Sequence, residues 1–237
     1  MKIKKDVFVN FIKQATMTGV SALQEGIIDF SKSGIVISSE TASNNVLVNA
    51  VLSSKVIEEY EAKGQVGINS FQDMVKLLEG FAGEYLKFII KGNQLVFSSA
   101  RRRVKITLMD SDAVKKPVKY PDDLKKRASI KLDMEVLKGF FKNMTMINSG
   151  EFNLSIKGSE LYFNTKGFNE VTEKVKIEDA PEGDISLKLS RAFVDAVENL
   201  TGVVVLELKS DYPITISSKT KGVAIKILVA PIVKEEK

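Results

Sequence analysis

A turn pattern that recurs along the chain limits the fold more than any other feature. Phe88-Ile-Ile-Lys91-Gly92-Asn93-Gln94-Leu95-Val96-Phe97-Ser98 runs apolar, turns at a glycine, and runs apolar again. Leu154-Ser-Ile-Lys157-Gly158-Ser159-Glu160-Leu161-Tyr162-Phe163-Asn164 repeats it almost residue for residue. Phe30–Ser38 and Leu206–Ser217 are two further versions. β-Branched and aromatic runs around a short polar turn predict β-hairpins. Lys32 and Lys157 lie 125 residues apart, and Lys91 and Lys209 lie 118 apart. Two hairpins therefore recur at about half the chain length, which predicts a duplicated domain rather than a short solenoid repeat.

Helical periods fall between the hairpins. Val7, Phe8, Phe11, Ile12 and Ala15 predict a helix near Asp6–Thr16, and Phe71, Met74, Val75 and Leu78 a second near Ser70–Glu79. Met134, Leu137, Phe140, Phe141 and Met144 predict a third behind the cap Asp133. Phe193, Val194, Val197 and Leu200 predict a fourth, started by Ser190 and stopped by Gly202. The remaining apolar runs read as strands. Each half is then helix, strands, helix, strands, so the expected class is α+β: two tandem copies of a domain with two helices packed on antiparallel sheet. The expected units are residues 1–110 and 128–237. The segment 111–127, with two prolines, dense charge and no period, reads as an extended connector.

Composition removes whole classes of chemistry. The chain has neither cysteine nor histidine. Disulfides, thiolate metal sites and histidine-based catalysis are excluded. Asp110, Asp112, Asp122 and Asp123 read as a charged linker rather than a metal site. No G-x-x-x-x-G-K-[ST] loop occurs, so nucleotide hydrolysis is not expected. The expectation is a non-enzyme with no catalytic residue, cofactor or metal. The first residues lack the apolar stretch of a signal peptide, and no run is long enough to span a membrane. Net charge is +5, with 14 basic and 11 acidic side chains in 1–110, 6 and 3 in 111–127, and 15 and 16 in 128–237. A mild positive balance fits a nucleic-acid partner.

The order of elements resembles a DNA sliding clamp of the proliferating-cell nuclear antigen (PCNA) family. Val104-Lys-Ile-Thr-Leu108-Met109-Asp110 is similar to the family's strand ending in Leu-Met-Asp. Leu206–Ile214 with Pro213, Leu228-Val-Ala230-Pro231-Ile-Val233 and Gly34–Leu47 are similar to its other recurring stretches. The resemblance covers essentially the whole chain. It implies a homotrimeric, six-domain ring around duplex DNA, a processivity factor without sequence preference. It also implies a DNA polymerase and other replication or repair clients carrying PIP-box-like peptides, and an ATP-dependent clamp loader. An open monomeric accessory factor and a subunit of a heterotrimeric ring, the checkpoint kind included, are the alternatives within the fold. The expected location is the cytoplasm of a prokaryotic or virus-infected cell, or the nucleus of a eukaryote. Family members are commonly acidic, whereas this chain and its linker are basic.

Site residues follow from that resemblance. Lys13, Lys76, Lys138, Lys142 and Arg191 lie opposite the apolar helix stripes, where lysine is ordinarily only solvated. In a clamp those faces line the hole. Arg101, Arg102 and Arg103 read as a soluble hairpin tip or as phosphate contacts. The resemblance places a partner-peptide groove at Val46, Val114, Val118, Tyr120, Pro213, Val229, Ala230, Pro231 and Ile232, although Val46 and Val229 also read as core. It places the subunit interface along Val104, Ile106 and Leu108 of one copy and Val171, Val175 and Ile177 of the next.

Overall fold

The computed structural model describes residues 1–17, 23–99, 101–116, 118, 128–167, 169–178, 181 and 183–233. The first half runs β1 (Lys2–Lys4), α1 (Lys5–Thr16), β2 (Gly26–Ser31), β3 (Gly34–Glu40), β4 (Val46–Ser53), β5 (Gly64–Ile68), α2 (Phe71–Glu79), β6 (Tyr85–Lys91), β7 (Gln94–Ser98) and β8 (Arg103–Thr107). The second runs β9 (Ala128–Asp133), α3 (Met134–Met146), β10 (Glu151–Lys157), β11 (Glu160–Lys166), β12 (Glu170–Lys176), β13 (Ile185–Ser190), α4 (Arg191–Val197), β14 (Val203–Leu208), β15 (Ile214–Thr220) and β16 (Val223–Val229). The same ten elements occur twice in the same order, as the recurring hairpins predict.

Local chemistry explains the elements. The hairpins β6–β7 and β10–β11 close through two-residue turns, with Lys91 opposite Gln94 and Lys157 opposite Glu160. Gly92 and Gly158 take φ of 58° and 56° there, a region a side chain disfavours. Ser70 and Asp133 cap α2 and α3, accepting the N–H groups of Asp73 and Glu135 at 3.1 and 3.0 Å. Ser190 precedes α4 without a side-chain cap bond, and α4 ends at Val197, short of Gly202. Gly202 instead precedes β14 with φ of 71°.

The strands form three antiparallel sheets. Two have four strands, ordered β1-β6-β7-β8 and β12-β11-β10-β13. The third has eight, β5-β2-β3-β4-β16-β15-β14-β9, and spans both halves because β4 pairs with β16 from Val46↔Val229 to Leu52↔Val223. Along β4 the buried residues Val46, Val48, Ala50 and Leu52 alternate with partly exposed ones. Both α1 and α4 pack on β4 and β16. Beneath the helices a phenylalanine cluster fills each half: Phe8, Phe88 and Phe97 in one, and Phe140, Phe152, Phe163 and Phe193 in the other. The helix ends are linked across the halves. Gln14 donates to the Asn199 carbonyl at 3.1 Å, and Asn199 donates to the Lys13 carbonyl at 3.0 Å.

One half-buried phenol ties the β2–β3 turn to the segment after β4. The Tyr60 hydroxyl lies 2.8 Å from the carbonyl oxygens of both Ser31 and Gly34. Burial, with a smaller contribution from the Asp29 carboxylate, pushes its pKa up to about 12. An unfolded tyrosine ionises near pH ~10. As pH rises, the unfolded chain therefore loses this proton first, and stability falls between about pH 10 and about pH 12 while staying intact below. Tyr60→Phe is expected to lower stability at neutral pH and to flatten the alkaline decline in chemical unfolding. Parallel declines in the two proteins would contradict this role.

Candidate nucleic-acid and partner surfaces

The helix lysines divide by their neighbours. Lys13 pairs with Glu79 of α2, Lys76 with Asp73 at 3.9 Å, and Lys138 with Glu135 at 3.2 Å. Lys142 is exposed and has no ion pair among the described residues. Exposed pairs of this kind are weak and leave the cations accessible. They also dilute the positive field of the helical face. Arg191 is more committed than the sequence suggests. It bonds the buried Asp195 at 3.4 Å and the Thr145 hydroxyl of α3 at 2.9 Å, tying the start of α4 to α3.

The three arginines do not act as one group. Arg102 donates to the Gly80 carbonyl at 2.7 Å and lies over the Phe81 ring at 5.3 Å. It satisfies a carbonyl at the end of α2, a capping role that the run of like charges conceals. Arg103 begins β8 and lines a shallow cleft with Lys2, Lys87 and Val96. Arg101 is exposed.

The described part of the connector, residues 111–116 and 118, lies against the sheet face away from the helices. The alternation along β3 shows this. Ser39 donates to the Ala15 carbonyl of α1, so the next residue, Glu40, points to the opposite face. There the Glu40 carboxylate, almost fully buried, accepts the Val118 N–H at 3.1 Å and sits 3.9 Å from Lys115. Lys115 also donates to the Asn44 side chain at 3.1 Å. Val114 is buried beside β5, where a Cβ on Gly67 would come within 2.9 Å of it. Asp110 accepts the Asp112 N–H, and the Lys116 ammonium holds the Asp112 carboxyl below its usual range. These aspartates thus serve the folding of the connector.

Of the groove residues, Val118 and Ile232 are exposed, while Pro213, Ala230 and Pro231 are partly covered. Tyr120 lies outside the described residues. Val46 and Val229 are fully buried in the core between sheet and helices and present no surface to a peptide. The parity of β4 and β16 explains this. Their neighbours Leu47 and Leu228, paired in register, take the outer face instead. The tail is held by Ala230 N–H to the Asn45 carbonyl at 2.8 Å and Ile232 N–H to the Lys188 carbonyl at 2.7 Å. A cleft of about 660 Å³ opens between the β3–β4 loop, Val114, Lys115 and the start of α4. Sequence reasoning missed Glu40, Leu47 and Leu228. The period-two pattern held the signal for the two leucines, whereas the role of Glu40 depends on where the connector lands.

Along the expected subunit edges, Val104 and Ile106 on β8, and Val171 and Val175 on β12, are partly exposed on strands with one side unpaired among the described residues. Leu108 lies just past β8, where its N–H bonds the Asn93 carbonyl. Ile177 lies just past β12 and is buried in the core.

No protein-family model matches the sequence, and no curated protein matches it. Solved structures match along the whole length. PCNA from Entamoeba histolytica superposes with a TM-score of 0.85 at 17% identity, covering 98% of each chain. A. fulgidus PCNA, solved with the C-terminal region of FEN-1 bound, gives 0.83 at 14% identity over 99% of this chain and 98% of that one. The PCNA2–PCNA3 complex from Sulfolobus tokodaii gives 0.80 at 15% identity over 97% and 98%. At such identity the likeness establishes the fold: this chain has the fold of PCNA sliding clamps.

The assignment of Arg102 is testable by unfolding. Arg102→Ala is expected to cost about 1 kcal/mol, from a charge-assisted hydrogen bond and a ring contact. Arg101→Ala is expected to stay within about 0.5 kcal/mol of the parent, as for an ordinary surface position. Equal effects would contradict the capping role.

Proposed function

We propose that this chain is a DNA sliding clamp, a non-enzymatic processivity factor that closes into a ring of three copies around duplex DNA. The observation that carries the reading is the arrangement of strand edges. Within the chain, β4 of the first repeat is closed by β16 of the second. Their counterparts in the other repeat, β12 and β8, are both unpaired on one side among the described residues. The same junction made between copies joins β8 of one to β12 of the next. Repetition closes into a ring, which removes the open edges. The proposed units are residues 1–110 and 128–237, joined by 111–127.

In the ring the helices face the hole, and Lys13, Lys76, Lys138 and Lys142 meet phosphates without reading bases. Arg191, Arg101 and Arg103 are secondary candidates. The outer face beside the connector takes client peptides. The A. fulgidus structure with the FEN-1 C-terminal region supports this by analogy. Val114, Val118, Tyr120, Pro213, Ala230, Pro231 and Ile232 are the proposed lining, with Leu47 and Leu228 replacing Val46 and Val229. Clients include a DNA polymerase, and a separate ATP-driven loader opens the ring. The protein works where DNA is replicated, in the cytoplasm of a prokaryotic or virus-infected cell or in a eukaryotic nucleus. A heteromeric ring is a second reading, favoured by the likeness to the Sulfolobus tokodaii PCNA2–PCNA3 complex.

Loading onto closed circular DNA tests the topological mechanism. Loaded protein is expected to stay on the circle in salt that abolishes equilibrium binding, and to leave when the circle is cut. Equal loss from circular and linear DNA would overturn the proposal. Alanine at Lys13, Lys76, Lys138 and Lys142 together is expected to flatten the salt dependence of equilibrium binding by about 0.9 in log–log slope for each phosphate contact removed.

A further inference from the structure

The internal duplication carries more than the existence of a seam between copies: it supplies the register. Two independent alignments match the repeats. Ile3 on β1 and Leu132 on β9 are buried and precede α1 and α3; they pair with Leu86 on β6 and Val204 on β14. Following those pairings outward sets Val104 of β8 in the place of Ile227 of β16. The two-residue turns of β2–β3 and β10–β11 likewise set Val171 of β12 in the place of Val48 of β4.

Over the matching stretch the internal junction pairs Ile225↔Ala50, Lys226↔Asn49, Ile227↔Val48 and Leu228↔Leu47, apolar at every place but the second. Transferred to the seam between copies, these become Arg102 opposite Glu173, Arg103 opposite Thr172, Val104 opposite Val171, and Lys105 opposite Glu170 of the neighbouring copy, with Arg101 opposite Lys174 as the one like-charged pair beyond them. Of the three apolar pairs one survives, and the other two, on either side of it, become opposite charges. The groups are poised for this in the single chain. Arg102 and Lys105 have no ion pair among the described residues, nor do Glu170 and Glu173. Each carboxylate is already oriented by an amide of its own repeat: Glu173 by Asn143 of α3 at 2.7 Å, and Glu170 by Asn164 at 2.8 Å. Asn143 precedes Met144 in the series Leu137, Phe140, Phe141, Met144, as Gln14 precedes Ala15 in Phe8, Phe11, Ile12, Ala15. It therefore occupies on α3 the place of Gln14, which links the helices at the internal junction. The Gly80 carbonyl, held by Arg102, lies at the end of α2, the counterpart of the end of α4. A guanidinium has five donors, so Arg102 can keep that carbonyl and still meet Glu173.

We infer that the ring is closed by two ion pairs at each seam, Arg102–Glu173 and Lys105–Glu170, flanking a single valine contact. Ionic strength therefore opens and closes the ring while leaving the apolar internal junction intact. This rests on the clamp reading above. Both pairs fix direction, since a basic edge rejects another basic edge, and only head-to-tail association satisfies them.

Sedimentation of the parent, Lys105→Glu, Glu170→Lys and the double variant tests the pairing. Moving from about 0.1 M to about 1 M salt shortens the Debye length from about 10 Å to about 3 Å. The parent is expected to shift from trimer toward monomer over that range, with the far-UV circular dichroism of the chain unchanged. Each single reversal is expected to weaken association about tenfold per seam, and the double variant to recover it. Lys87→Glu, an exposed cation on β6, two strands in from β8, is the control and is expected to leave the trimer intact. A parent trimer that neither salt nor the single reversals disturb would overturn the ionic seam and leave the ring standing. So would single reversals that the double variant fails to rescue. A parent that stays monomeric at low salt and high concentration would overturn the ring reading itself.

Discussion

The pairing of β4 with β16 is the interaction on which the rest of the structure depends. It joins two repeats into one eight-stranded sheet and lets a single apolar core run beneath both pairs of helices. Its inner face is apolar, Val46, Val48 and Leu52 against Val229, Ile227 and Val223, and its outer face sets Leu47 against Leu228 beside the polar pair Asn49 and Lys226. Burial on this scale favours a permanent junction. The duplication also creates its complement. Using β4 and β16 inside the chain leaves β8 and β12 with unpaired backbone groups, which an isolated chain has to manage. Both carry charge at alternate positions, Arg103 and Lys105 on one, Glu170, Lys174 and Lys176 on the other. Charge of that kind deters indiscriminate strand addition and at the same time selects a complementary edge.

Much of the architecture was legible in the sequence because its signals are local. A glycine turn between apolar runs specifies a hairpin, and apolar residues at helical spacing specify α1, α2 and α3 within a residue or two. The short β1 escaped notice because three residues of mixed polarity carry no period, and its existence depends on β6 beside it. The end of α4 was misplaced because Leu200 continues the apolar spacing after the backbone has left the helix. The site was less legible. Val46 and Val229 belong to the core by parity, one residue out of phase with the outward leucines. Arg102 looked like one of three equivalent charges, yet its neighbours Gly80 and Phe81 are about twenty residues away in sequence and give it a separate task.

The charge distribution clarifies the basic character of the chain. The excess is not concentrated on the helical faces, where acids answer three of the four lysines weighed for DNA contact. Lys115 and Lys116 of the connector instead meet Glu40, Asn44 and Asp112, so part of the linker's positive charge folds it down onto the sheet. A weakly positive helical face suits a protein that retains DNA by enclosure, because strong phosphate contacts slow sliding. The basic connector and the buried Glu40 give the outer face a different character from an apolar slot. In the proposed groove, Glu40 stands beside Leu47 and Leu228 as a lining that a client peptide would have to fit.

Closure of the proposed ring depends on association of β8 with β12 between copies, and mass in solution tests that most directly. Light scattering at low ionic strength, across a range of protein concentration, is predicted to give about three times the 26.2 kDa chain mass. A mass equal to that of one chain throughout the range would contradict it.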